Sequence, residues 1–286
     1  MDGKPAFGKS KLNSVAGTSV KLVLMLLVVA VGLAACSKKP KETKYVERSV
    51  EQLYNQAFKA LERQRYRFAA VAFDEVERQH PYSVWARRAQ LMSAYSHYRA
   101  NNYDQAILAA QRFLQLHPGN KSAPYAYYLI GVSYYEQIQD VGRDQRMTEL
   151  AMVALNELTK RFPTSEYARD ARLKIDLTLD HLAGKEMKIG RWYLRHDHHL
   201  AAIIRFRNVV ERYERTNHVP EALHRLTETY LTLGIVKEAQ AAAAVLGYNF
   251  PSNPWYRDSY ALLKGKGLEP EMDEGSWLAR LWGKVF

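Results

Sequence analysis

The chain has 286 residues, 41 Lys and Arg against 30 Asp and Glu for a formal net charge of +11, and a single cysteine. At 47% hydrophobic it is long enough to bury one or two cores, and a lone Cys excludes a disulfide framework. Aromatics make up 12%, with 19 Tyr against 9 Phe, a composition that packs rings while keeping hydroxyls near water.

The N-terminus carries Lys4, Lys9, Lys11 and Lys21, after which residues 22–35 are apolar or small without interruption. Fourteen helical residues span about 21 Å, short of the roughly 30 Å needed to cross a bilayer core. With its basic flank the stretch reads as a signal peptide. It ends Leu33-Ala34-Ala35-Cys36, which resembles the lipobox of bacterial lipoproteins. Cleavage is expected between Ala35 and Cys36, and acylation on the Cys36 thiol. One acyl chain anchors only marginally, whereas the three of a mature lipoprotein hold firmly. In that pattern Asp after the cysteine signals inner-membrane retention. Ser37 stands there instead, so the expected location is the periplasmic face of the outer membrane. Residues 36–46 read as a lysine-rich tether. Without the first 35 residues, which hold four Lys and one Asp, 37 basic and 29 acidic residues remain, a charge of +8. That charge favours lipid headgroups, acidic protein faces or terminal carboxylates as partners; export removes nucleic acid.

From residue 47 the chain repeats. His80-Pro81, His117-Pro118, Phe162-Pro163 and Phe250-Pro251 each close a stretch of helical periodicity. An alanine lies twelve residues before each proline: Ala69, Ala106, Ala151 and Ala239. A fifth unit without proline fits between them, with Arg212-Tyr213 at its end and Ala201 as its alanine. A small residue at that slot is what the close crossing of two helices requires. Tyr66 and Tyr103 mark turns into the second helix of a pair. Extra residues near 140–147 separate the helices of unit three, and unit four opens with a long helix over about 165–195. No strand pattern is present. The expected fold is an all-α solenoid of about five helical hairpins over residues 47–263, resembling the tetratricopeptide repeat, whose nominal period is 34.

The order of these features resembles the BamD family, tetratricopeptide-repeat lipoproteins of the β-barrel assembly machine. The motifs are Val141-Gly142-Arg143-Asp144-Gln145 in the third unit, Phe162-Pro163-Thr164-Ser165-Glu166-Tyr167 at the next junction, and Ala201-Ala202-Ile203-Ile204-Arg205. The resemblance implies a non-enzymatic interaction protein that helps fold barrels into the outer membrane. Its C-terminal repeats would dock on the membrane-proximal periplasmic domain of the barrel-forming subunit, with Arg205 as the docking arginine; a guanidinium forks onto carboxylate and stays charged. Its N-terminal repeats would meet the aromatic-ending C-termini of unfolded outer-membrane proteins, with Tyr54, Tyr82 and Trp85 as candidate contacts. Other assembly lipoproteins are expected neighbours. A tetratricopeptide lipoprotein that scaffolds cell-wall synthesis or division enzymes is the alternative.

Other features are weighed against simpler readings. His196, Asp197, His198 and His199 could ligate metal, but they fall where a polar inter-helix turn is expected and no Cys joins them. No catalytic constellation or phosphate loop is present, so neither cofactor nor metal is expected. Residues 264–286 extend past the repeats. Gly265, Gly267 and Pro270 suggest a flexible joint, and residues 269–274 a solvated acidic linker. Trp277, Leu278, Leu281, Trp282, Val285 and Phe286 then share one helical face. That face has three candidate covers: the last repeat, a groove on a partner, or the membrane interface.

Overall fold

The computed structural model describes Gly3 and residues 47–282. Contacts divide the chain after Glu47, and the second unit begins at Arg48. Cys36, the tether and Phe286 lie outside the described residues.

Twelve helices and no strand are found among the described residues. Ten of them form five antiparallel pairs: α1 Val50–Glu62 with α2 Tyr66–Gln79, α3 Val84–Arg99 with α4 Tyr103–Leu116, α5 Ala123–Tyr135 with α6 Arg146–Arg161, α7 Glu166–Arg195 with α8 His199–Arg212, and α9 Val219–Thr232 with α10 Val236–Asn249. Each packs on the next, and first helices also meet across repeats, α1 on α3, α3 on α5 and α5 on α7. This is a tetratricopeptide solenoid, in which no repeat buries its apolar face alone. Two further helices follow, α11 Pro254–Lys264 and α12 Trp277–Trp282.

Local chemistry sets the boundaries. Ser49, Ser83 and Ser165 cap α1, α3 and α7, each hydroxyl accepting from the backbone N–H three residues on at 3.0–3.3 Å. Second helices stop on His80, His117, Phe162, Tyr213 and Phe250, all with φ between −128° and −137°. Proline bars the residue before it from continuing the helix; four of the five have one, and Tyr213 reaches the same geometry before Glu214. The turns inside repeats one, two, four and five each place one residue at positive φ: Gln64, Asn101, Asp197 and Gly234.

That register corrects one expectation. The small residue at the crossing of repeat four is Ala202, fully buried, and not Ala201, which is half-buried. Ala202 is the fourth residue of α8, as Ala69, Ala106 and Ala239 are of α2, α4 and α10, and Tyr213 fills the slot of the aromatic or His before proline. Beside the crossing, Gly190 on α7 faces Phe206, whose ring would lie 2.5 Å from an added Cβ; Gly131 on α5 faces Leu155 at the same distance. The insertion also shifts. It occupies residues 136–145, because Arg146 and Met147 already belong to α6. Gln145 anchors it: its carboxamide accepts from Thr148 Oγ1 at 2.9 Å, donates to Arg143 O at 3.0 Å, and meets His181 Nδ1 on α7 at 2.9 Å.

Candidate interaction surfaces

A cleft of about 400 Å³ opens between the first three repeats. Leu91, Met92, Phe113 and Tyr54 give it an apolar floor, and Arg87, Arg88 and Lys121 stand on its rim. Tyr54 on α1 packs against Trp85 on α3 with ring centroids 4.7 Å apart, and meets Phe73 edge-on at 5.4 Å. The Arg88 guanidinium lies 5.6 Å over the Trp85 ring. Burial raises the Tyr54 phenol pKa, opposed by Arg88, so the hydroxyl stays protonated and able to donate. The structure therefore brings Tyr54 and Trp85 together. Tyr82 stands apart, fully exposed on the turn before α3. Sequence reasoning passed over Arg87, Arg88 and Lys121; the paired arginines two and three residues after Trp85 were the available signal.

At the other end of the solenoid Arg205 is engaged inside its own repeat. Its Nη1 donates to both Glu186 oxygens at 3.3 Å, and Asn208 Nδ2 donates to the same carboxylate at 3.2 Å. Arg205 is 35% exposed and Glu186 18%. Next to this pair Arg191 Nη1 reaches both oxygens of Glu221 on α9 at 3.0 and 2.9 Å, and Arg225 lies 3.6 Å from Glu221 and 2.9 Å from Glu228. The ion pairs tie α7, α8 and α9 together and leave the Arg205 guanidinium one-third open to solvent.

Comparison with known proteins gives this scaffold a context. The family model YfiO, an outer membrane lipoprotein, matches residues 46–246. A protein of Caulobacter vibrioides is 52% identical over 254 residues, covering 88% of this chain and 83% of its own length. One of Rickettsia prowazekii is 42% identical, covering 85% and 97%, and one of Neisseria meningitidis 32% identical, covering 82% and 94%. All three are outer membrane protein assembly factors BamD. The chain belongs to the BamD family. Its relatives are named as assembly factors and not as enzymes, and the chain is a non-enzymatic assembly factor of the outer membrane. No helix among the described residues is long and apolar enough to cross a membrane.

The family match stops at residue 246, before α11 and the tail. Among the described residues the tail lies along the last repeat, with Glu269, Glu271 and Glu274 exposed. Glu269 pairs with Lys264 and its carbonyl accepts from Gln240 Nε2 at 2.7 Å, while Asp273 lies 3.6 Å from Lys237. Ser276 Oγ donates to Glu238 at 2.7 Å. Trp277 is then buried: its indole N–H donates to Tyr230 Oη at 3.2 Å, and Arg207 lies 4.3 Å over its ring. Leu278 is fully buried, whereas Leu281 is 38% exposed and Trp282 is partly buried. Charged straps thus hold the segment down and two apolar side chains plug it into the core.

His196, Asp197 and His198 form the turn between α7 and α8, and His199 opens α8. Asp197 takes the positive-φ slot that Gln64, Asn101 and Gly234 fill elsewhere, and His196 stacks on Trp192 at 4.2 Å. No group of three or more His, Cys, Asp or Glu able to hold a metal occurs among the described residues.

Proposed function

We propose that the chain is a lipid-anchored adaptor of β-barrel assembly on the periplasmic face of the outer membrane. Cys36 carries the acyl chains, and residues 36–46 link them to the repeat domain of residues 47–263. The cleft between the first three repeats receives the C-terminal residues of unfolded outer-membrane proteins. Repeats four and five dock on the membrane-proximal periplasmic domain of the barrel-forming subunit through Arg205, alongside other assembly lipoproteins. The observation that carries the reading is the cleft itself: three cations around an apolar floor match a chain terminus that ends in an aromatic side chain and a free carboxylate. The cations hold the carboxylate, and Leu91, Met92 and Phe113 take the ring. For docking, Arg205 exchanges Glu186 for a carboxylate of the subunit, and its solvent-open third gives that carboxylate an approach.

A ten-residue peptide ending in Phe, titrated against the protein, tests the cleft. Binding is expected, with a roughly tenfold loss on C-terminal amidation, the magnitude of one charge-assisted contact. Arg88→Glu should give the same loss. Equal affinity for acid and amide would remove the carboxylate site from the proposal.

A further inference from the structure

The outer side of the first repeat, which no other repeat among the described residues covers, is a groove of about 970 Å³ between α1 and α2. It is apolar and basic together. Phe68 is 63% exposed and Val71 67%, over a floor that includes Leu53, Ala60 and Ala72. Arg48, Lys59, Arg63 and Arg65 line it, and among the described residues none of the four makes a salt bridge; the Arg48 guanidinium donates to the neutral Gln56 at 2.9 Å and acts on Glu75 only through space. The Arg65 guanidinium lies 4.4 Å over the Phe68 ring. The one acidic lining residue, Glu75, is committed to Arg78 and Gln79. Solenoid ends need polar caps for solubility, and this end keeps two large apolar side chains exposed among cations that make no salt bridge among the described residues.

We propose that this end face is a membrane-facing surface, which lays Phe68 and Val71 into an anionic phospholipid interface while the four cations meet its phosphates. The proposal rests on the lipid anchor proposed above. Arg48 follows Cys36 by twelve residues, a stretch that spans at most about 40 Å when fully extended. An anchored chain therefore cannot carry the face far from the leaflet, and a tether that short gives even a weak contact a high effective concentration. Charge selects the occupant. The chain's own tether carries Lys38, Lys39, Lys41 and Lys44 against Glu42 and Glu47, so it is repelled by the groove and adds to the attraction of an anionic surface. Long cationic side chains around an apolar centre match an interface in which phosphates lie above acyl chains, with stems buried and charges at headgroup level.

The test uses the full-length, exported and processed protein. Val71→Cys carries an environment-sensitive fluorophore, and Leu108→Cys, at a site also more than half exposed on α4, is the control. Each is reconstituted in phosphatidylethanolamine–phosphatidylglycerol vesicles and in phosphatidylcholine vesicles, with a quencher on the lipid headgroup. Quenching at least threefold stronger at Val71 than at Leu108 is expected in the anionic vesicles alone, falling to the Leu108 level with Arg63→Glu/Arg65→Glu. Equal quenching at the two positions in anionic vesicles overturns the proposal; a face kept for an acidic protein gives that result. Mass analysis reads the anchor separately, since an acylated Cys36 takes no label. If Cys36 is labelled, the anchor reading fails, and flotation of the unacylated chain decides the face by itself. Flotation with anionic vesicles that drops at least tenfold in Arg63→Glu/Arg65→Glu sustains it, and flotation that the two substitutions leave unchanged overturns it.

Discussion

The two ends of the solenoid are finished differently. At the C-terminal end α11 covers α9 and α10, and the tail then buries Trp277 and Leu278 in the largest core cluster among the described residues, which runs from Ala183 on α7 to Leu278. At the N-terminal end the last apolar layer is α1 on α2, with Leu53, Ala57 and Phe73 inside and Phe68 and Val71 outside. Charge follows the same division. Cations near the closed end are paired, Arg205 with Glu186, Arg191 with Glu221 and Arg225 with Glu228. Those at the open end, Arg48, Lys59, Arg63 and Arg65, make no salt bridge among the described residues, and the one carboxylate in their groove, Glu75, is bonded to Arg78. A repeat array is stabilised mainly by nearest-neighbour interfaces, so a closed end is a rigid platform. An open end can loosen without disturbing the rest, and it leaves charge for a partner.

The largest expected effect comes from opening the closed end. Trp277→Ala removes a buried indole, its hydrogen bond to Tyr230 and the ring under Arg207. A loss of about 2–4 kcal/mol is expected from the cavity and the orphaned phenol. Amide exchange in α10 and α11 should accelerate, while α1 and α2 keep their rates. Acceleration at both ends would show the array unfolding as a single unit and erase the contrast.

How far these differences could be read beforehand depends on how local their causes are. The helix pairs were legible because each leaves a short-range mark, an alanine slot and an aromatic or His before proline. Repeat four lacks the proline, and without it the register slipped by one residue, to Ala201 in place of Ala202. The apolar residues of the tail were equally visible, but their cover was not. Tyr230 lies 47 positions before Trp277, and Arg207 sits on another repeat. The cleft cations belong to two repeats, Arg87 and Arg88 on α3 and Lys121 before α5, and only the superhelix places them on one rim. Arg205 was found through family resemblance; its partner Glu186 is set by the hairpin of α7 and α8, which no motif reports.

A smaller effect sharpens the charge contrast. Arg205→Ala leaves Glu186, mostly buried, with Asn208 as its remaining side-chain donor, so a cost of about 1–2 kcal/mol is expected, the penalty of an under-satisfied polar group. Glu186→Gln in the same chain should recover much of that stability, because the uncompensated charge is gone. It should not restore recovery of the barrel-forming subunit in co-purification, because the docking role proposed for Arg205 uses the guanidinium. Stability and recovery returning together in the double variant would reduce Arg205 to a structural residue. Arg63→Glu at the open end, where no carboxylate partner exists among the described residues, should move stability by less than about 0.5 kcal/mol, as surface substitutions usually do.

The closed end should also carry a modest pH dependence. His224 on α9 is buried, its Nδ1 lies 2.9 Å from Ser259 Oγ on α11, and its ring lies 5.0 Å from Trp255. Burial lowers its pKa, and neighbouring Arg225 lowers it further. The unfolded chain therefore takes up a proton near pH 6.5 that the folded ring still refuses. The contribution is whole above about pH 6.5 and declines as the pH falls below that value, levelling off once the folded ring titrates as well. Acidification from pH 7.5 to 5.5 should then lower stability by up to about 1 kcal/mol, since each tenfold excess of protons over the unfolded pKa is worth about 1.4 kcal/mol. Loosening should begin at α11, the helix that the imidazole joins to α9. His224→Gln keeps a polar group facing Ser259 and cannot take the proton, so its stability should fall less across the same range, the remainder coming from groups such as His117, whose pKa burial also lowers. A parallel decline in the variant would place the acid sensitivity elsewhere in the chain.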